Sequence, residues 1–223
     1  MSNASLKVGY LGTGLMGEPM AMRLIKAGYD VQVWNRSRDK MDALVAAGAH
    51  AAATPKGIAD TCDVVFMCLT DTRAVEAVVF GQGGISSGNQ ANVLVDFSTI
   101  PPDTTKDFAA QLKAANNMDW IDAPVSGGVP GAEQGTLAIM AGGSITTIEE
   151  VRPMVNHMSD RFTRMGETGA GQATKLCNQI ISGCTITVVA EAVNFAQKSG
   201  VDASALTEAL KGGFADSIPF QLF

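Results

Sequence analysis

The stretch KVGYLGTGLMGEPM at residues 7–20 decides the fold, because it joins an apolar strand to a glycine-rich turn and a helix. Its glycines have the spacing GxGxxG. Gly12 allows a tight turn, Gly14 lets the backbone approach a pyrophosphate, and Gly17 permits close packing of the helix on the strand. The motif therefore predicts a dinucleotide site; a glycine-rich turn that only packs is the alternative. The other predicted cofactor contacts in this loop are Thr13, Leu15 and Met16.

Short β-rich runs alternate with helical patterns over the part of the chain that ends at Gly166. The strand candidates are 7–11, 31–34, 64–69, 93–96, 120–122, 136–141 and 162–165. The helix candidates are 16–27, 39–47, 55–61, 73–80, 101–116 and 147–158, the last with a capping box formed by Thr147 and Glu150. Because the strands are nearly all apolar, we expect a doubly wound, mostly parallel α/β sheet of the Rossmann type.

The pattern changes after Gly166, since residues 171–199 contain neither a strand signal nor a proline. This stretch predicts a helix of roughly 40 Å. We therefore expect a dinucleotide-binding domain at residues 6–167 and the start of an all-helical substrate or oligomerisation domain at 168–223. The helices predicted in this second domain are too few to enclose a core. We therefore expect that the chain is a fragment of a longer protein, or that another subunit completes the fold. Residues 1–5 are expected to be a start codon and cloning scar.

Composition excludes several classes of protein. Of the 223 residues 46% are hydrophobic and 17% charged, which argues against disorder. The net charge of −6, without a basic run, argues against nucleic acid as a partner. Four cysteines without CxxC spacing and two histidines argue against a zinc site and favour reduced thiols in the cytoplasm. Because no 18 apolar residues follow one another, we expect neither a membrane span nor a membrane partner.

The end of the second strand candidate bears on the choice of cofactor. NAD-binding folds usually place Asp or Glu there, on the ribose 2′-hydroxyl, whereas this chain has Asn35, Arg36 and Ser37. A carboxylate would repel a 2′-phosphate, while an arginine binds it with two hydrogen bonds. The sequence therefore favours NADP(H), with NAD(H) as the alternative. The simpler interpretation is that Asn35 or Ser37 caps the next helix and Arg36 lies in solvent.

A polar stripe crosses the long apolar helix. Lys175 is its only charged residue between Glu167 and Glu191. Its polar neighbours at helical spacing are Gln172, Asn178, Gln179 and Ser182. The stripe predicts either a polar site facing this helix or a polar helix interface with the lysine extending to water.

A second candidate site is the stretch DAPVSGG at residues 122–128, which directly follows a strand. Loops beyond the carboxyl ends of strands line the ligand crevice of such sheets. Ser126, Gly127 and Gly128 offer a hydroxyl and unobstructed N–H groups to an anion such as a carboxylate. An ordinary loop containing glycine and proline is the alternative.

Together, residues 9–20, 122–128 and 169–179 resemble, in the expected order, the three signature segments of the β-hydroxyacid dehydrogenase family. The resemblance implies that Lys175 is the general acid–base group and that Asn178 fixes the substrate. It also implies that the substrate carboxylate binds at residues 126–128. The implied contacts near the nicotinamide and in a cofactor loop are Thr99, Leu69 and Thr70. Two positions depart from the family pattern: Thr70 stands where proline is common, and Thr13 replaces the usual leucine.

The resemblance implies an NADP(H)-dependent enzyme that interconverts a small 3-hydroxy acid and its semialdehyde. Its substrates would include 2-hydroxy-3-oxopropionate, succinic semialdehyde or glyoxylate. An NAD-dependent 3-hydroxyisobutyrate dehydrogenase is the alternative, and a dinucleotide-binding sensor without turnover is the alternative of another class. We expect a cytoplasmic homo-oligomer, a dimer or tetramer, with a carboxylate-bearing substrate. Family members continue beyond position 223 with a further pocket segment.

Overall fold

A computed structural model describes residues 6–222, and the predicted cloning scar at 1–5 lies outside this range. Within it, nine strands form one sheet. They are β1 (Lys7–Leu11), β2 (Asp30–Trp34), β3 (His50–Ala51), β4 (Val64–Met67), β5 (Val93–Asp96), β6 (Asp119–Asp122), β7 (Val125–Ser126), β8 (Leu137–Gly142) and β9 (Ser159–Gly166).

The strand order is β3-β2-β1-β4-β5-β6-β8-β7, and β9 pairs with β8. Every pair from β3 to β6 is parallel, whereas β8 runs antiparallel to β6 and β7. The predicted doubly wound, mostly parallel sheet is thus confirmed. Its register places Leu11, Met67, Asp96 and Asp122 side by side at the carboxyl ends of β1, β4, β5 and β6. This row is the edge of the sheet at which ligands bind in open α/β folds.

Helices cover both faces of the sheet. Those before residue 170 are α1 (Gly17–Lys26), α2 (Asp42–Ala46), α3 (Pro55–Ala59), α4 (Thr72–Phe80), α5 (Pro102–Asn116), α6 (Gly128–Gln134) and α7 (Ile145–Val155). The chain continues with the helices α8 (Ala170–Lys198), α9 (Leu206–Leu210) and α10 (Ile218–Gln221). One buried cluster joins Leu24 of α1 and Ile148 of α7 to the sheet. The other cluster joins Ile58 of α3, Val75 of α4 and Phe108 of α5 to the opposite face. Alternate strand residues supply the two cores.

The helix cap predicted at Thr147 and Glu150 is wrong. Helix α7 begins at Ile145, and Ser144 is its N-cap, with the hydroxyl accepting a hydrogen bond from the Thr147 backbone N–H at 3.1 Å. Four short elements, β3, β7, α6 and α10, have no counterpart in the predicted pattern. Their two to seven residues are too few to show a clear periodicity.

The chain divides into two compact units, of which one ends at Lys175 and the other begins at Leu176. The division lies inside α8, a little after the boundary predicted between residues 167 and 168. The first unit contains the whole sheet, and the second consists of helical elements.

Helix α8 is long and apolar enough to cross a membrane, judged by length and composition alone, and only 6% of its most apolar window is buried. A count of uninterrupted apolar residues does not detect this helix, because isolated polar residues interrupt a run without making the whole window polar. One such helix is weak evidence, since core helices of soluble proteins also pass this test. The membrane expectation and the predicted homo-oligomer both stay predictions.

Candidate active site

The glycine turn after β1 is fixed by close packing. Gly12 has φ +89°, and its N–H donates to the Trp34 carbonyl at 2.9 Å. A Cβ at Gly12 would lie 2.2 Å from the Cys68 carbonyl oxygen, and one at Gly17 would lie 1.8 Å from the Gly12 oxygen. Both positions thus require glycine for the fold itself.

Gly14 differs, since a Cβ there would meet nothing within 4 Å. It faces open space directly before α1, whose N-cap residue Met16 makes no side-chain capping bond. The first N–H groups of a helix lack intrahelical partners and attract anions. Beside them Leu15 is 83% exposed, and the buried Thr13 hydroxyl has no hydrogen-bond partner among residues 6–222. The loop therefore fits the phosphates of a dinucleotide.

Asn35 joins the end of β2 to the glycine loop. Its Oδ1 accepts a hydrogen bond from the Thr13 N–H at 3.2 Å, and its Nδ2 donates to the Ser37 carbonyl at 2.9 Å. Ser37 is the N-cap of a 3₁₀ turn at Arg38–Met41, yet its hydroxyl makes no capping bond. The Arg36 side chain is exposed at the same edge. The amide of Asn35 thus fixes the loop geometry, while Arg36 and Ser37 remain accessible.

The predicted contacts after β4 and β5 lie beside this turn. The Leu69 side chain would be 2.8 Å from a Cβ at Gly12, so it packs against the glycine turn. The Leu69 N–H donates to the Ser98 hydroxyl at 2.9 Å. Thr70 and Thr99 follow these anchored residues and are exposed. The hydrogen bond between Leu69 and Ser98 therefore fixes the backbone next to Thr70 and Thr99 at the open edge of the sheet.

Lys175 lies at the end of the first unit, with its side chain directed at the segment after β6. Its Nζ donates to the Val125 carbonyl oxygen at 2.8 Å, and the residue is half-buried. Burial lowers the pKa of this amine from its ordinary value. The structure thus places the ammonium next to Ser126, one residue beyond Val125.

The stretch at residues 122–128 is more regular than the predicted loop. Ser126 lies in β7, opposite Ala138 of β8, and α6 begins at Gly128. Gly127 and Gly128 have φ of +132° and +62°, which side chains disfavour, and both are exposed. A short antiparallel pairing thus orders the centre of this stretch, and its role toward a carboxylate stays a prediction.

Two buried aspartates were not predicted as site residues. Asp96 and Asp122 end β5 and β6, and burial raises the pKa of Asp96 to about 7 and that of Asp122 to about 6. Backbone N–H groups of Gly169 and Gln172 oppose the second shift by donating to Asp122. The sequence signal that could have identified these two residues is a carboxylate at the end of each of two neighbouring apolar strands.

Asn178 belongs to the second unit, three residues after Lys175 on α8. Its Nδ2 donates to the Gln179 side chain at 3.1 Å. Its role toward a substrate stays a prediction. Within residues 6–222 no group of three or more His, Cys, Asp or Glu side chains is placed to hold a metal ion.

Two family models match the chain. Residues 7–166 match the NAD-binding domain of 6-phosphogluconate dehydrogenase. Residues 169–221 match the model described as NAD-binding of NADP-dependent 3-hydroxyisobutyrate dehydrogenase.

Two similar proteins agree with these matches. The 2-hydroxy-3-oxopropionate reductase of Escherichia coli is 39% identical over 213 residues, which are 95% of this chain and 72% of the relative. The 3-hydroxyisobutyrate dehydrogenase of Mycobacterium tuberculosis with L-serine has a TM-score of 0.89 at 29% identity, over 96% of this chain and 72% of that one.

A third comparison is Psf3 in complex with NADP⁺ and 2-OPP, with a TM-score of 0.87 at 28% identity over 96% of this chain and 76% of that one. The matched domains, the glycine loop and the named relatives agree on a nicotinamide dinucleotide cofactor. The chain belongs to the β-hydroxyacid dehydrogenase family of NAD(P)-dependent oxidoreductases.

Proposed function

We propose that this protein is an NADP(H)-dependent oxidoreductase that interconverts a small 3-hydroxy acid and its semialdehyde and works mainly as a semialdehyde reductase. The observation that carries the proposal is the half-buried Lys175 ammonium, held 2.8 Å from the Val125 carbonyl beside Ser126. The name of the Escherichia coli relative, 2-hydroxy-3-oxopropionate reductase, supports this substrate class.

Lys175 is suited to proton transfer. When the nicotinamide is bound, it supplies hydride to a carbonyl carbon in reduction or accepts it in oxidation. The Lys175 Nζ then donates a proton to the oxygen in reduction and accepts one in oxidation. An ammonium has three protons and only one is directed at Val125, so protons remain for a substrate oxygen. Such a group contributes about 10²–10⁴-fold in rate.

The segment at Ser126–Gly128 is our candidate for the substrate carboxylate. The Ser126 hydroxyl is half-buried, and the two glycines present backbone without side chains to an open surface. Because the Lys175 contact is one residue earlier, a carboxylate here would place a short substrate near the amine. Asn178, one turn after Lys175, is proposed to bind the substrate hydroxyl.

NADP(H) is proposed over NAD(H) because no carboxylate occupies the end of β2. Arg36 is exposed there. Asn35 provides a neutral amide in the position where the carboxylate of an NAD-binding fold would repel a 2′-phosphate. Arginine binds phosphate with two parallel hydrogen bonds. Thr99, Leu69 and Thr70 are proposed to contact the rest of the cofactor.

The test of the substrate class is oxidation of NADPH and of NADH by the purified protein with four aldehydes: glyoxylate, succinic, tartronic and methylmalonic semialdehyde. We expect turnover with at least one, faster with NADPH. Lys175→Met should abolish most of it, whereas Lys198→Met, which changes the other lysine of α8, should not. No turnover with any of the four would refute the proposed substrate class.

Two matched variants test the choice between NADP(H) and NAD(H). Arg36→Asp should lower kcat/KM for NADPH by at least about tenfold and leave NADH unaffected or improved. Arg38→Asp changes a neighbouring exposed arginine by the same charge and should have a small effect. Equal losses in the two variants would show that general charge, and not a 2′-phosphate contact, is responsible.

A second candidate is an NAD-dependent 3-hydroxyisobutyrate dehydrogenase. It is favoured by the likeness to the Mycobacterium tuberculosis enzyme of that name. Faster reduction of NAD⁺ than of NADP⁺ with 3-hydroxyisobutyrate would support this candidate over the first.

A further inference from the structure

The start of α8 is attached to β6 through one buried carboxylate. Asp122 is fully buried; its Oδ1 accepts from the Gly169 N–H at 2.7 Å and its Oδ2 from the Gln172 N–H at 2.9 Å. A carboxylate at this position satisfies free N–H groups of the helix and opposes the positive end of its dipole. The first turn of α8 is therefore held by charge-assisted bonds.

Two glycines allow the start of α8 to approach the ends of β6 and β8 closely. A Cβ at Gly171 would lie 2.4 Å from the Met140 carbonyl oxygen and 2.8 Å from Asp122 Oδ2. A Cβ at Gly142 would lie 2.4 Å from Asp122 Oδ1. The helix start thus packs directly on the ends of β6 and β8, which leaves little room for it to shift.

The side chain of Gln172 attaches the same turn to the segment that follows β5. It is 1% exposed; its Nε2 donates to the Ser98 carbonyl at 2.8 Å, and its Oε1 accepts from the Ile100 N–H at 3.3 Å. These two backbone groups flank Thr99. One turn of α8 is therefore bonded to the ends of both β5 and β6.

The spacing relates these bonds to Lys175. Asp122 is three residues before Val125, and Gln172 is three residues before Lys175. The Lys175–Val125 hydrogen bond and the Asp122–Gln172 bond thus join the same two segments at neighbouring points. Any slide of the helix along β6 would have to break the buried Asp122 bonds first.

We propose that Asp122 and Gln172 are positioning residues, which hold the Lys175 amine opposite the segment that follows β6. This proposal rests on the proposed function of Lys175. Neither side chain needs to touch a substrate. Displacement of a reacting group by about 1 Å costs on the order of 100-fold in rate, so a loosened helix start would lower kcat strongly.

The test is a double-mutant cycle on kcat in the NADPH-dependent reduction. Asp122→Asn removes the charge and directs an amide N–H at one of the two backbone N–H groups, so it should lower kcat about 10–100-fold. In a Lys175→Met background the same change should cost less than about threefold, because the group it positions is already absent. The NADPH dissociation constant should stay within about threefold of wild type.

Gln172→Met is the second variant, since it keeps the Asp122 bonds and removes only those to Ser98 and Ile100. It should show the same dependence on Lys175. Asn116→Ala is the matched control: it removes the hydrogen bonds from the Asn116 side chain to the Ile85 and Gly88 carbonyls, before the amino end of β6 and away from Asp122, and should lower the melting temperature without changing kcat.

Folded Asp122→Asn and Gln172→Met proteins with kcat within about threefold of wild type would overturn the proposal. Equal losses in the wild-type and Lys175→Met backgrounds would also overturn it, because they would show a general structural effect. Full activity of Lys175→Met would instead refute the proposed function, and the positioning role with it.

Discussion

The glycine loop offers a test that separates cofactor binding from folding. Gly14→Ala and Gly17→Ala add the same methyl group to the same loop, three residues apart. The methyl at Gly14 would meet no atom within 4 Å, whereas that at Gly17 would lie 1.8 Å from the Gly12 carbonyl oxygen. We expect the first variant to lose cofactor affinity and the second to lose stability.

The magnitudes follow from these distances. An ordinary C···O contact is about 3.3 Å, so α1 must move by roughly 1.5 Å to accept Gly17→Ala. Overpacking of this kind costs about 1–3 kcal/mol, which lowers the melting temperature of a chain of this size by roughly 2–12 °C. At Gly14 the backbone lies outside the left-handed region, and replacement by alanine should raise the free energy of unfolding by about 0.4–1 kcal/mol.

The assay pairs thermal unfolding without cofactor with a fluorescence titration of NADPH. Gly14→Ala should keep or slightly raise the melting temperature while its NADPH dissociation constant rises at least about tenfold, or about 1.4 kcal/mol. Wild-type NADPH affinity in Gly14→Ala would refute the assignment of this loop to the pyrophosphate. Wild-type stability in Gly17→Ala would refute the packing argument.

Three further predictions concern charge. Burial raises the pKa of Asp96 to about 7, far above its unfolded value, so the folded protein binds the extra proton and loses stability as pH rises from about 4 to 7. The full shift is worth about 4 kcal/mol, from which about 1–3 kcal/mol is subtracted for a buried amide. Asp96→Asn should therefore gain about 1–3 kcal/mol over wild type at pH 8, by urea unfolding, and lose about 1–3 kcal/mol at pH 4, where only the cost of the amide remains. Asn35→Asp keeps an acceptor for the Thr13 N–H but adds a negative charge, so the ratio of NADPH to NADH affinity should fall about tenfold in titrations. Because burial lowers the pKa of Lys175, kcat/KM for reduction should decline with rising pH below the usual lysine range, and Lys175→Met should remove that decline.

The fold was predictable from the sequence wherever strands and helices were long. The glycine motif with its flanking strand and helix, and the alternation that follows, suffice for a parallel sheet covered on both faces. The short elements β3, β7, α6 and α10 were not predictable, because so few residues show no clear periodicity and because β3 and β7 form only by pairing with β2 and β8. The α7 cap was misplaced since serine and threonine at 144 and 147 both have capping side chains.

Motifs in the sequence name candidate site residues such as Lys175 and Ser126, whose roles stay predictions. The structure adds the contact between Lys175 and Val125, which no local pattern contains. Asp122 and Gln172 were visible as polar residues, but the bond between them joins positions fifty residues apart. Asn35 is similar: its identity suggested a cofactor contact, and only the fold reveals its bond to Thr13.

The most direct measurement is the rate of NADPH oxidation by Lys175→Met with the best semialdehyde, at an NADPH concentration that saturates the variant. We expect a loss of about 10²–10⁴-fold with the NADPH dissociation constant unchanged. A variant that binds NADPH normally and reduces the aldehyde within about threefold of the wild-type rate would contradict it, because the proton would then come from another group.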